Sequence, residues 1–349
     1  MEDTVMAGSS TGTVFKVTTW GESHGPATGA VIDGCPAGLP LSPADFRPYM
    51  ARRRPDGSLM STNRREADEV EILSGVFEGM TTGTPVSLLI RNTDQHSADY
   101  GNLADVYRPG HADFGYQAKY GHRDYRGGGR SSGRETAARV AAGAVAAKIL
   151  GMTGITFQTA VTSVGGFPPE EAPGIIKQYR EAGDSAGSEV ICTVHGAPAG
   201  IGDPVFRKLD ALLAEAVFSI GAVRAFEIGS GRDVISLRGS ENNDAFCMKN
   251  GNVVTETNHC GGILGGISTG GDILIRASFK PTPSISLKQR TVTRDGEETE
   301  ICIRGRHDPV IGPRAAVVVE AMSALVLLDS MLLNMTSQLS SFISFYQKK

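Results

Sequence analysis

The densest chemical signal in the sequence is Arg126-Gly127-Gly128-Gly129-Arg130-Ser131-Ser132-Gly133-Arg134-Glu135-Thr136, which runs straight into an alanine-rich stretch. Glycines followed by hydroxyl residues at a helix start present backbone N–H groups and the positive end of a helix dipole, an arrangement that suits a phosphate or an anionic cofactor. The Gly-Lys-Ser/Thr element of a P-loop is missing. An RNA-binding arginine-glycine segment is the competing reading, but such segments form long repetitive tails with no helix behind them. Positive charge is concentrated around the same region. Arg47 to Arg65 holds six arginines (Arg47, Arg52, Arg53, Arg54, Arg64, Arg65) against Asp56, a local +5, and Arg108 to Arg134 holds five arginines and Lys119 against Asp113 and Asp124, a local +4. A guanidinium fork grips carboxylate or phosphate through two parallel hydrogen bonds, so two such patches point to a compact ligand with several anionic groups. For any single arginine the alternative is an ordinary ion pair with Glu66, Asp68, Glu69 or Glu71.

Histidine supplies a second constellation. His24 in Gly-Glu-Ser-His-Gly, His111 in Arg-Pro-Gly-His-Ala-Asp and His307 in Gly-Arg-His-Asp-Pro all lie in glycine- or proline-punctuated loops, and imidazole is the side chain best matched to proton transfer near neutral pH. His96, His122, His195 and His259 have weaker surroundings and read as structural or solvent-facing. Ser23-His24 is a poor nucleophile pair, because adjacent residues seldom bring hydroxyl and imidazole into the needed geometry and no Gly-x-Ser-x-Gly elbow is present. No histidines stand four apart with a carboxylate, so no metal site is expected. Further on, Asn258 to Ser268 carries paired glycines and Lys280-Pro281-Thr282-Pro283-Ser284-Ile285 follows a strand pattern; bare backbone beside a flat ring, then a lysine and hydroxyls for a phosphate, would suit flavin mononucleotide. Tight turns between strands explain those glycines equally well.

These loops need elements to hold them. Strands are expected at Val14–Thr19, Ala30–Ile32, Val70–Leu73, Val86–Ile90, Ile155–Val164, Glu189–Val194, Ala225–Ile228 and Asp272–Ser278. Helices are expected at Pro43–Arg54 after the cap Ser42, at Arg134–Leu150, Pro169–Glu181 and Pro204–Phe218, and at Pro313–Leu333, whose apolar circumference suits a core or a subunit interface. With 349 residues, a net charge of −4 and 40% hydrophobic residues, the composition is that of a globular protein and not of a strongly cationic nucleic-acid or membrane-surface protein. Five scattered cysteines, Cys35, Cys192, Cys247, Cys260 and Cys302, argue against a disulfide framework. Residues 1–11 carry no secretory pattern, and Glu320 and Asp329 interrupt the apolar run at 315–333, so a soluble, reducing, cytoplasmic setting is expected. No linker divides the chain. The expectation is a tail at 1–11, one intertwined α/β (α+β) domain over 12–335 and a tail at 336–349.

Taken in order, Gly21-Glu22-Ser23-His24-Gly25, Arg52-Arg53-Arg54-Pro55, Tyr107-Arg108-Pro109-Gly110-His111-Ala112-Asp113, Gly128-Gly129-Arg130-Ser131-Ser132, Gly262-Ile263-Leu264-Gly265-Gly266 and Gly305-Arg306-His307-Asp308-Pro309 resemble the chorismate synthase family over nearly the whole chain. The resemblance implies a β-α-β sandwich of antiparallel sheets around helices, assembled as a homotetramer. It implies a carbon–oxygen lyase of the shikimate pathway that converts 5-enolpyruvylshikimate 3-phosphate to chorismate and phosphate by 1,4-anti elimination, using reduced FMN without net redox change. By resemblance, His24 protonates the leaving phosphate, His111 protonates the flavin, and Asp308 helps deprotonate flavin N5. Substrate contacts carry over to Arg53, Arg108, Arg130 and Arg134. Cofactor contacts carry over to Arg130, Ser131, Ser132, Gly221, Ala222, Gly265, Lys280, Pro281, Thr282, Pro283, Ser284 and Arg306.

Four positions depart from the family pattern. Gly221 replaces an asparagine, so only a backbone contact survives there, and Pro283 replaces a serine, which removes a hydroxyl and an N–H. Gly133 replaces an alanine. Leu59 stands where relatives carry an arginine associated with NADP, which speaks against an NADPH site and predicts a monofunctional enzyme supplied with reduced flavin by others. No nucleic-acid or membrane partner is expected. The rival readings are a flavin-dependent oxidoreductase with net flavin turnover and an RNA-binding protein using Arg126 to Arg134.

Overall fold

Two long stretches, Thr136–Gly151 and Gly312–Asn334, offer water almost no polar face, so both must be covered on all sides. The computed structural model, which describes residues 8–55, 67–93, 103–303 and 308–347, shows how. The chain opens with strands β1 (Ser10–Thr11), β2 (Lys16–Gly21) and β3 (Ala27–Asp33), helix α1 (Pro43–Arg53), β4 (Val70–Ser74), the short hairpin β5 (Val76–Phe77) and β6 (Met80–Thr81), and β7 (Val86–Arg91). Helices α2 (Asp113–Tyr120) and α3 (Thr136–Gly151) precede β8 (Thr156–Val164), α4 (Ala172–Glu181), β9 (Ser188–His195), α5 (Leu209–Phe218) and β10 (Val223–Ile228). After the single turn α6 (Gly239–Asn242) come the hairpins β11 (Phe246–Lys249) with β12 (Asn252–Thr255) and β13 (Ile263–Leu264) with β14 (Ile267–Ser268), then β15 (Ile273–Phe279). A ribbon of β16 (Lys288–Val292) and β17 (Glu298–Cys302), then α7 (Gly312–Asn334) and α8 (Leu339–Gln347), complete it.

One antiparallel sheet has the order β1-β2-β3-β7-β4, the other β10-β15-β9-β8. Each buries alternate residues: Val86, Leu88 and Ile90 on β7, Ile273, Ile275, Ala277 and Phe279 on β15. Between the buried faces lie the helices. α3 covers β2, β3 and β7, α7 covers β8 and β9, and α3 crosses α7 in the middle, flanked by α1 and α5. This is the expected sandwich of antiparallel sheets around helices.

Every charge on α7 is matched. Glu320 receives Arg52 at 3.0 and 2.6 Å, and Arg314 donates to Asp308 at 2.5 Å. Asp329 accepts the backbone N–H groups of Thr13, Val14 and Phe15 at 2.7–3.0 Å, pinning the chain between β1 and β2 to the far end of the molecule's longest helix. By length and composition α7 could cross a membrane, but 72% of its most apolar window is buried inside the protein, as befits a core helix.

Differences from the expected elements have local causes. α1 matches its cap signal, with Asp45 returning a hydrogen bond to the Ser42 N–H at 2.8 Å. The alanine-rich α-helix begins at Thr136 because Gly133–Glu135 forms a tighter 3-10 turn capped by Ser132. α5 begins at Leu209, not Pro204, because Asp203 and Arg207 close a turn instead. α2, α8 and the β11–β12 and β16–β17 ribbons are not among the expected elements. β1 and α8 fall in the segments expected as tails.

The α3–α7 crossing is close because Gly143 has no side chain: a Cβ there would lie 2.4 Å from Ala321 Cβ and 2.6 Å from its Cα. Helix propensity favours alanine over glycine by about 1 kcal/mol, whereas overpacking a rigid core costs about 1–3 kcal/mol or more. Gly143→Ala is therefore expected to destabilise, with a lowered urea midpoint; an unchanged or raised midpoint would refute this crossing.

Candidate active site

Loops from six parts of the chain converge on one end of the helical layer, where the N-termini of α3 and α7 meet the C-termini of α1 and α5. They enclose a cavity of about 970 Å³, at the upper end of the range for cofactor and substrate sites, about 300–1,000 Å³. Among the described residues nine cationic side chains line it, Arg53, Arg108, Lys119, Arg130, Arg134, Arg139, Arg224, Lys280 and Arg314, against the acids Glu135 and Asp308. Two helix N-termini add positive potential. The cavity is built for an anion.

Such crowding of cations needs internal counter-charge, and two buried aspartates supply it. The Asp68 side chain is fully enclosed between Arg53, whose Nη1 lies 2.6 Å away, and Arg134. Arg134 also donates to Asn92 Oδ1 and to the Arg91 carbonyl, while Arg53 reaches Thr136 Oγ1 at 3.2 Å. Asp113, at the start of α2, accepts Arg108 through Nε and Nη2 at 2.8 and 2.7 Å and sits 3.1 Å from His111 Nδ1. Behind it, Arg123 lies across the Tyr107 ring and donates to the carbonyls of Leu103, Ala104 and Val106.

Burial pushes both aspartates up, but the arginine charges and hydrogen bonds outweigh it and hold both well below the usual carboxylate range. Burial also lowers His111 from its ordinary value, Asp113 raises it, and the Arg108 charge lowers it again. His111 Nδ1 stands 3.1 Å from both Arg108 Nη2 and Asp113 Oδ1, so this nitrogen is engaged from behind in either tautomer and Nε2 is the ring nitrogen left for exchange with a ligand. Lys280 is lowered by burial and by Arg224; its ammonium donates to the Gly110 carbonyl and so ties the His111 loop to the segment after β15.

The glycine-rich segment is clamped at both ends. Asp124 holds Arg126 through its N–H at 3.0 Å and its guanidinium at 2.9 Å, and Arg130 reaches back to Thr19 Oγ1 at 2.7 Å and the Gly21 carbonyl at 3.2 Å. Gly127, Gly128 and Gly129 all take positive φ, which only glycine adopts without strain. The segment is thus part of the cavity wall and not an extended tail.

With this geometry in view, comparison with known proteins is decisive. A family model described as chorismate synthase matches residues 15–332. The chain belongs to the chorismate synthase family. A chorismate synthase of Lachnospira eligens is 52% identical over 366 aligned positions, covering 98% of this chain and all of that protein, and one of Methanocella arvoryzae is 52% identical over 353, covering 94% and 95%. A crystal structure of chorismate synthase superposes with a TM-score of 0.73 at 29% identity, covering 93% of this chain and 94% of that one.

Of the residues the family resemblance singled out, Arg53, Arg108, His111, Arg130, Ser131, Ser132, Arg134, Gly221, Ala222, Lys280, Thr282, Pro283, Ser284 and Asp308 share the cavity wall. His24 is buried one layer back, behind Gly127 and hydrogen-bonded through Nδ1 to Ser23 at 2.9 Å. Pro281 is exposed beside Gly187, off the wall. Gly265 sits at the exposed tip of the β13–β14 hairpin, whose Gly266 meets the first residue of α5; ten helical residues, about 15 Å, separate it from the cavity-lining Ser219. One chain alone does not bring Gly265 to the cavity. Arg306, together with His307, Leu59, Arg64, Arg65 and His96, lies outside the described residues. Arg52 pairs with Glu320 instead. Sequence reasoning missed Arg139, Arg224 and Arg314 as wall residues, although Arg314 stands six residues past Asp308 at the start of an expected helix.

The wall has room for a flat group such as FMN at two glycines. Gly133 and Gly221 line the cavity with nothing within 4 Å of where a Cβ would stand, so bare backbone faces open space there.

Asp68 generates a pH prediction. Its folded pKa lies below the unfolded one, so its stabilisation is complete above about 3.9 and is lost as the pH falls through the folded value. Asp68→Asn is expected to cost about 3–5 kcal/mol at pH 7, with the gap to the parent closing below about pH 4; urea titrations at stepped pH check this, and a gap independent of pH would contradict it.

Proposed function

We propose that the protein converts 5-enolpyruvylshikimate 3-phosphate to chorismate and phosphate by 1,4-anti elimination, as a lyase of the shikimate pathway. The observation that carries this reading is one cavity that gathers nine cations, two helix N-termini and His111 around space enough for a triply anionic ring and a flat cofactor. Arg53, Arg108 and Arg134 hold the substrate's phosphate and carboxylates, their forks kept rigid by Asp68 and Asp113 so that little ordering remains to be done on binding. Arg130, Ser131, Ser132, the backbone of Gly221 and Ala222, Lys280, Thr282 and Ser284 would hold FMN. Reduced FMN, when bound, would supply an electron transiently and recover it, with no net redox change.

His111 turns Nε2 to the ligand as the nitrogen that exchanges a proton, its Nδ1 being engaged by Arg108 and Asp113. Asp308, steadied by Arg314 at 2.5 Å, is a carboxylate placed to accept one. His24 serves the leaving phosphate from behind the loop. Charge lost from carbon as the C–O bond breaks is received by a phosphate already surrounded by guanidinium groups. Assembly as a homotetramer and a cytoplasmic location belong to the same proposal. So does an external source of reduced flavin.

Anaerobic incubation with 5-enolpyruvylshikimate 3-phosphate and chemically reduced FMN tests it. Phosphate and chorismate are expected in equal amounts with the flavin still reduced; flavin oxidised in step with product would favour an oxidoreductase instead. His24→Ala and His111→Ala are each expected to lower turnover on the order of 10²- to 10⁴-fold with little loss of stability, and near-normal rates would remove their proton-transfer roles.

A further inference from the structure

The glycines at 127 and 128 have a use that their phosphate-loop appearance conceals. A Cβ on Gly127 would stand 2.5 Å from His24 Cε1, 2.7 Å from its Nδ1 and 2.8 Å from Ser23 Oγ. A Cβ on Gly128 would stand 2.6 Å from His111 Cε1 and 3.0 Å from its Nε2 and from Ser131 Oγ. No real Cβ approaches a ring atom so closely, so at both positions the imidazole occupies the space of the missing side chain. The next glycine differs. A Cβ on Gly129 would meet nothing nearer than Asp124 Cβ at 3.7 Å, although its φ of 54° is as unfavourable for a side chain as the 61° of Gly127.

We propose that Gly127 and Gly128 are positioning residues that seat the imidazoles of His24 and His111 on consecutive peptide units of one braced loop. Consecutive Cα atoms are 3.8 Å apart, so the two rings are held within about 12 Å of each other. Movement of either ring toward the loop is blocked by backbone that cannot yield, because Asp124 anchors Arg126 on one side and Arg130 is fastened to β2 on the other. His111 is therefore fixed from both edges, Gly128 at Nε2 and Asp113 at Nδ1. The catalytic value of the seats rests on the proton-transfer roles proposed above; the seats themselves do not.

The test compares Gly127→Ala, Gly128→Ala and Gly129→Ala in the full chain. All three impose side-chain strain at positive φ, but only the first two meet a ring. Histidine Cε1–H resonances in the ligand-free protein should move selectively: His24 with Gly127→Ala, His111 with Gly128→Ala, neither with Gly129→Ala. The loss in urea midpoint from Gly128→Ala should exceed that from Gly129→Ala and should shrink by at least about half in a His111→Ala background, where the ring is gone while the φ of 88° and the Ser131 contact remain. If Gly128→Ala does not fold, folding of Gly128→Ala/His111→Ala supports the seat and failure of both overturns it. Equal effects of the three single variants, or unmoved ring resonances, would also overturn it. In the elimination assay Gly128→Ala should lower kcat on the order of tenfold or more with KM little changed; ring shifts and rescue observed in a protein whose parent shows no elimination would sink the proposed reaction and leave the seats standing.

Discussion

Like charges repel, and a cavity that gathers nine cations among its described wall residues can exist only if something holds them there before the ligand arrives. Asp68 does this for Arg53 and Arg134, and Asp113 for Arg108. Each is enclosed, each is gripped by arginine forks, and neither lies on the cavity wall, so they steady the guanidinium groups from behind without neutralising the face turned inward. Buried ion pairs contribute little to stability for their number, because desolvation consumes most of the attraction. Here their value is geometric: a fork fixed through one edge keeps its remaining N–H groups aimed.

The same logic explains how binding and proton transfer share residues. Arg108, Asp113 and His111 form one hydrogen-bonded set, so the group that orients a substrate arginine also orients the imidazole. Gly110 and Lys280 join that set to the far wall, and Arg314 joins Asp308 to the backbone of α1 through the Arg53 carbonyl at 2.8 Å. Few of the wall residues act alone.

Much of this was legible in the residue order, for reasons that differ by element. Ser42, Pro43 and Asp45 announce α1 through local capping, and alternation on β7 and β15 announces burial on one face. The cluster at 126–136 was legible as an anion site because glycine, hydroxyl and arginine together have few other uses. Asp68 was read as one of several surface partners; that it sits at zero exposure between two arginines depends on β4 bringing it under α1 and α3, which no local pattern records. Arg224 was invisible because it flanks a turn whose importance comes only from α5 ending at the cavity. The roles of Gly127 and Gly128 could not be separated from that of Gly129 by composition, since what distinguishes them is which ring arrives from elsewhere in the chain.

The Asp329 carboxylate, bonded to N–H groups more than 300 residues earlier, has a consequence for biosynthesis. Until α7 has left the ribosome, the loop between β1 and β2 lacks its anchor, α3 has no partner across its crossing, and β8 and β9 lack the helix that covers most of their apolar faces. Nascent chains must therefore wait, with apolar strand faces incompletely covered, until α7 has been made. Closure of the molecule and completion of its binding cavity are then coupled, because Arg314 and Asp308 join the wall only with α7 in place.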